Sequence, residues 1–154
     1  MRRTLLVLTV IAAVSCGGGS AVQSGLSPVP SASAPTATVA AATNPKLGQI
    51  LVDGNGRTLY LFEADKGASS VCYGACATYW PPLLTGGSPT AGAGVNASLL
   101  GTTKRTDGTI EVTYAGHPLY YVVTDHNPGD STGQAVNNFG AAWYVVGPDG
   151  NKIQ

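Results

Sequence analysis

The chain has 154 residues, eight basic and eight acidic, and only 10% of it is charged, far below the usual quarter. With no basic surplus to neutralise phosphates, it is poorly suited to nucleic-acid binding. Glycine (21) and proline (10) are too frequent for long helices, and the length leaves room for one ordinary domain.

Residues 1–15 open with Arg2 and Arg3, continue as an apolar run from Leu5 to Val14, and end at Ser15. The run is too short to span a bilayer and has the layout of a signal peptide. Ala13-Val14-Ser15-Cys16 resembles the bacterial lipobox, with Ala13 where leucine is usual. That resemblance implies cleavage before Cys16 and acylation of its thiol. Each buried methylene contributes about 0.8 kcal/mol, so two or more chains hold firmly where one does not. The alternative is an ordinary signal peptide followed by an incidental cysteine. Loss of the two arginines leaves the mature chain slightly acidic, so lipid rather than charge would hold it to a membrane.

From Gly17 to Asn44 no residue is charged, and Gly, Ser, Ala, Thr and Pro predominate. Such a stretch buries too little apolar surface to offset its ordering entropy. The expected organisation is a signal peptide at 1–15, a lipidated Cys16 with a disordered tether through 45, and a folded domain at 46–154. As a flexible coil the tether reaches roughly 30 Å.

The domain contains an internal repeat. Residues 48–65 align without a gap on 108–125 and match at seven of 18 positions, among them Gly56/Gly116, Leu59/Leu119, Tyr60/Tyr120 and Asp65/Asp125. Trp80 and Trp143 follow at nearly equal distances. Each unit reads as a hairpin turning at Asn55-Gly56 or Ala115-Gly116, where glycine supplies positive φ. That register sets Val52 against Leu59 and Ile50 against Leu61, with Val112 against Leu119 and Ile110 against Tyr121, all facing the core. Leu51, Tyr60, Glu111 and Tyr120 fall on a second face, expected to be only partly covered. A third hairpin is expected to join Trp143–Val146 to Lys152–Ile153 across Pro148-Asp149-Gly150. The fold class is therefore all-β, a small antiparallel sandwich or barrel of two pseudo-repeated hairpin units.

Tyr60-Leu-Phe-Glu-Ala-Asp65 and Tyr120-Tyr-Val-Val-Thr-Asp125 resemble the tyrosine, four residues, aspartate signature of the bacterial secreted lipoprotein repeat family. Gly56-Arg57-Thr58-Leu59-Tyr60, Cys72…Cys76, Trp80-Pro81-Pro82, Tyr114–Tyr120 and Gly129–Gln134 fit the same pattern. The resemblance spans nearly all of 46–150. It implies an envelope location and the duplication, and it brings no catalytic residue with it.

Cys72-Tyr-Gly-Ala-Cys76 reads first as a structural disulfide of an exported domain. The rival is a redox or metal-handling pair completed by His117 or His126, against which stand a spacing longer than Cys-x-x-Cys and no surrounding βαβ pattern. Asp65 and Asp125 end their strands before irregular segments, where each carboxylate can fix a turn. The competing use joins Asp125, His126, Asn127 and Asp130 in an oxygen-rich metal loop, whose spacing does not resemble an EF-hand. Trp80, His117, Tyr121, His126 and Trp143 are candidate binding residues if they line an open face. No Gly-x-Ser-x-Gly elbow supports a hydrolase. The expectation is a lipid-anchored protein of the extracytoplasmic face, not an enzyme and without cofactor, binding an envelope ligand or protein. The alternative is a redox or metal-handling lipoprotein using Cys72 and Cys76 with a histidine.

Overall fold

The computed structural model describes residues 34–154, so the expected signal peptide, Cys16 and the first part of the expected tether lie outside the described residues. The strands are β1 (Thr38–Asn44), β2 (Gly48–Asp53), β3 (Tyr60–Phe62), β4 (Thr90–Ala91), β5 (Leu100–Lys104), β6 (Ile110–Tyr114), β7 (His117–Pro118), β8 (Asn137–Asn138) and β9 (Ala141–Val145). One short helix, α1 (Ala75–Tyr79), and a 3-10 turn at Ala97–Leu99 complete the inventory. The strands form three small sheets, ordered β2-β1-β4, β3-β9-β8 and β5-β6-β7. All their pairings are antiparallel except β1 with β4. The fold is all-β and sandwich-like, not a closed barrel.

The folded region starts earlier than expected. β1 lies inside the uncharged stretch read as tether, yet it is the central strand of the first sheet, and Val39 is fully buried. Its uncharged, mostly small residues pack between two neighbouring strands, so composition alone misread it. β1 pairs with β2 as β5 pairs with β6, which extends each repeat by one strand at its start.

The first hairpin differs from its expected register by one residue. Asp53 N–H donates to Arg57 O (2.8 Å), Gly56 N–H donates back to Asp53 O (3.0 Å), and Val52 bridges Thr58. The turn therefore has three residues, Gly54-Asn55-Gly56, with Gly56 at φ 83°. In the second hairpin Tyr114 pairs with His117 across only Ala115-Gly116, at φ 49° and 83°. A slip of one residue reverses which side chains share a face. Leu51, not Val52, lies opposite Leu59, while Val112 against Leu119 is as expected. The gapless alignment thus fails before the turn: Leu51 corresponds to Val112, and Ile50 to Glu111.

The strands beyond each turn part to admit a third segment, and that segment comes from the other repeat. Leu51 N–H donates to Val146 O (2.8 Å), and Val146 N–H donates to Leu59 O (3.2 Å). In the second hairpin Val112 N–H donates to Leu83 O (2.9 Å), and Leu83 N–H donates to Leu119 O (2.8 Å). This insertion separates Ile110 from Tyr121, whose N–H goes instead to Pro81 O (2.8 Å). Midway between the hairpins, Tyr60 and Tyr120 exchange N–H···O=C bonds of 2.9 Å each.

Both hairpin faces are consequently buried, and the partly covered face does not exist: Leu51, Tyr60, Glu111 and Tyr120 are all at 0% exposure. One core contains Ile50, Val52, Tyr60, Phe62, Trp80, Tyr120, Trp143 and Val145, and the other contains Val39, Leu51, Leu59, Leu83, Val112, Leu119 and Val146. Each such aliphatic side chain contributes about 1.5–3 kcal/mol on burial. The third hairpin forms as expected, with Val146 bridging Lys152 and Gly147 N–H donating to Asn151 O (2.9 Å).

Candidate functional site

The signature tyrosines and aspartates meet in crossed pairs. Tyr60 Oη donates to Asp125 Oδ2 (2.6 Å), and Tyr120 Oη donates to Asp65 Oδ2 (2.7 Å). The tyrosine of each repeat is therefore bound by the aspartate of the other. The second oxygen of each aspartate fixes a loop: Asp65 Oδ1 accepts from Val71 N–H (2.8 Å), and Asp125 Oδ1 accepts from Thr132 N–H (2.9 Å) and Thr132 Oγ1 (2.7 Å). Burial, reinforced by the facing carboxylates, pushes both phenols well above the usual tyrosine range, so they act as neutral donors. Burial also raises the Asp65 carboxyl, opposed by its bonds from Tyr120 and Val71. Gly133 packs against this centre, where an added Cβ would stand 2.6 Å from Trp80 and 2.9 Å from Tyr60.

The second repeat carries a buried arginine–glutamate contact that the first lacks. Glu111, at the position of Ile50, is at 0% exposure and accepts from Arg105 Nη1 through Oε2 (2.6 Å). Its Oε1 is buried without a partner. Arg105 also donates to Cys72 O (2.6 Å) and Ser70 Oγ (2.9 Å), and Ser70 Oγ lies 2.7 Å from Tyr120 Oη. Burial pushes Glu111 up to about 8 against the lowering pull of Arg105. Asp65, Tyr120, Ser70, Arg105 and Glu111 form one continuous polar chain.

Cys72 and Cys76 are joined as a disulfide and buried, at 0% and 7% exposure. Trp80 and Trp143, candidate binding residues from the sequence, are core residues at 0% exposure. Their rings stack at 4.0 Å and 2°, and Phe62 stacks on Trp143 at 4.0 Å and 9°. Tyr121 is half-buried, donating to Asp53 Oδ2 (2.9 Å) beneath the Arg57 guanidinium, which sits 3.8 Å from its ring centroid. His117 is half-buried and lines an open cleft of about 290 Å³ with Leu61, Glu63, Asp65, Asn151 and Lys152. Lys152 pairs with Glu63 across it. His126 is exposed on a loop whose N–H groups at His126 and Asn127 converge on Asp130 Oδ2, lowering that carboxyl below the usual range. Among the described residues, no group of three or more His, Cys, Asp or Glu is placed to hold a metal ion.

What remains at the surface is an aromatic tip that sequence reading missed. Phe139-Gly140 is the two-residue turn between β8 and β9, with Phe139 at φ 54° and Gly140 at φ 95°. A bulky side chain in that region is a genuine outlier. Phe139 is 45% exposed, and its ring lies 6.3 Å from that of Tyr79, itself 37% exposed. Val123, 43% exposed, donates its N–H to Tyr79 O (3.1 Å). The sequence cue was phenylalanine standing before glycine where a tight turn prefers asparagine.

A family model described as a secreted repeat of unknown function matches residues 41–84 and 101–147. The two matches begin within β1 and β5 and run to the segments that cross between hairpins. No curated protein and no solved structure matches the chain.

Proposed function

Because the chain belongs to the bacterial lipoprotein family of secreted repeats, we propose that it is a lipid-anchored, non-catalytic binding module of the cell envelope, with the Tyr79–Phe139 tip as its contact surface. The observation that carries this reading is the division of labour among the aromatic and polar groups. Both copies of the signature are consumed in the crossed tyrosine–aspartate pairs, and both tryptophans are stacked in the core. Phe139, by contrast, is held in solvent at a backbone angle that costs on the order of 1–3 kcal/mol. Cys16 would supply the anchor and residues 17–34 the spacer.

Two substitutions test the two parts. Phe139→Asn suits the left-handed turn, so it leaves the fold at least as stable while removing the ring. In protein that also carries Cys16→Ala, and so has no lipid to hold it, the expected outcome is at least tenfold weaker binding to isolated envelope fractions, with Tyr79→Ala behaving alike. Unchanged binding by both variants removes the tip from the reading. Cys16→Ala should release the protein from membranes into the soluble fraction; continued membrane association would refute lipid anchoring.

A further inference from the structure

Neither hairpin is complete without a segment belonging to the other repeat. Val146 closes the first, Leu83 closes the second, and the tyrosine–aspartate pairs and the Trp80–Trp143 stack all join one repeat to the other. The repeats are linked through Gly86, Gly87 and Ser88, which are exposed, followed by Pro89. On either side of that stretch the chain is seated again: Thr85 N–H on Ile110 O (3.0 Å), and Thr90 N–H on Ala37 O (2.8 Å).

We propose that the surface between the repeats is a self-association surface, and that two copies of this chain exchange halves through the 86–89 hinge, the first repeat of one closing on the second repeat of the other. The partner is a second copy because only the same pattern supplies the inserted Leu or Val, the stacking indole and the reciprocal tyrosine and aspartate together. Every bond named across the surface re-forms in the exchanged pair. What the exchange gives up is confined to the hinge: Gly86 N–H on Pro35 O (3.3 Å), and Thr85 Oγ1 with Gly87 O (2.8 Å). Exchange between identical elements is a low-cost route to a dimer. Within one chain a short flexible hinge presents the halves to one another at an effective concentration of about millimolar, so dilute protein stays monomeric. Crowding of copies, or a hinge that cannot turn back, reverses the preference.

The test stiffens the hinge in the full chain. Gly86→Pro, Gly87→Pro and Ser88→Pro together make residues 86–89 a run of prolines that extends at about 3.1 Å per residue and does not reverse. By light scattering, the wild type is expected as a monomer at low micromolar concentration, and the proline variant at twice that mass with the wild-type tryptophan near-ultraviolet spectrum. A folded monomeric variant overturns the proposal, as does a dimer that falls apart on dilution without unfolding. Should the variant not fold, a protease site placed at Gly87 in the otherwise intact protein decides. Cut protein must remain a one-to-one pair and form hybrids with an isotope-labelled cut copy after partial unfolding. Failure to form hybrids overturns the proposal equally.

Discussion

Tyr60 and Tyr120 each combine a hydroxyl buried against a carboxylate with a backbone exchange at the centre of the fold. A hydrogen bond to a charged acceptor contributes about 1.5–3 kcal/mol. Tyr120→Phe should therefore lower stability by about 2 kcal/mol in urea denaturation, and Tyr60→Phe by a similar amount. A double-mutant cycle of Tyr60→Phe with Asp125→Asn should show strong coupling, whereas Tyr60→Phe with Asp65→Asn, which share no bond, should be much closer to additive. Glu111 gives a pH signature. Its folded pKa of about 8 lies above the ordinary 4.5, so the folded state holds its proton over that window. Stability from this group is full below 4.5, is lost as pH rises through the window, and levels off above it. Glu111→Gln should flatten that slope while keeping a partner for Arg105. Glu111→Ala leaves the buried Arg105 guanidinium without this hydrogen-bond acceptor and should cost about 3–5 kcal/mol at neutral pH. Comparing thermal midpoints between pH 5 and 9 separates the two variants.

Among the elements, the loop carrying the disulfide is held twice. Covalently it is closed between Cys72 and Cys76, and non-covalently Arg105 clamps the Cys72 carbonyl while Asp65 holds Val71. So short a ring contributes about 2 kcal/mol in the chain-entropy picture. Joint replacement of Cys72 and Cys76 by serine should cost about that much and leave the fold assembled. Loss of folding in the double variant would show that the disulfide, not the Arg105 clamp, organises this loop. The hairpins show where sequence reading succeeds and where it slips. Gly116 preceded by Ala115 specified a two-residue turn, and Val112 faced Leu119 as the alternation implied. Around Gly56 the same cue gave a turn one residue too short, because Asp53 uses its side chain to cap the N–H groups of Asn55 and Arg57 (2.8 and 2.9 Å) and lengthens the loop. Local composition also hid β1, whose uncharged residues looked like linker.

At the scale of the whole molecule the repeats cannot be counted as two independent modules. Since each supplies the other's closing segment, a destabilising change in one should unfold both. Tryptophan fluorescence and far-ultraviolet circular dichroism should report one coincident transition in denaturant. Two separated transitions would contradict the crossed architecture. The duplication and the all-β class were legible from the chain alone, since they rest on residue identities recurring at fixed spacing, and the disulfide from two close cysteines in an exported domain. The crossing was not, because matched residues look the same whether they close their own hairpin or their neighbour's. Nor was the aromatic tip legible from the signature, because Phe139 lies outside it and owes its exposure to a backbone angle rather than to a pattern.

The position of Val146 also constrains the order of events at birth. The first hairpin is translated early, but the segment that wedges it shut belongs to the end of the second repeat. A nascent chain leaving a ribosome, or threading a narrow export channel, carries this hairpin open until nearly all of the second copy has followed. Helper proteins that shield oily segments would thus have their longest task on the N-terminal copy, even though it is made first.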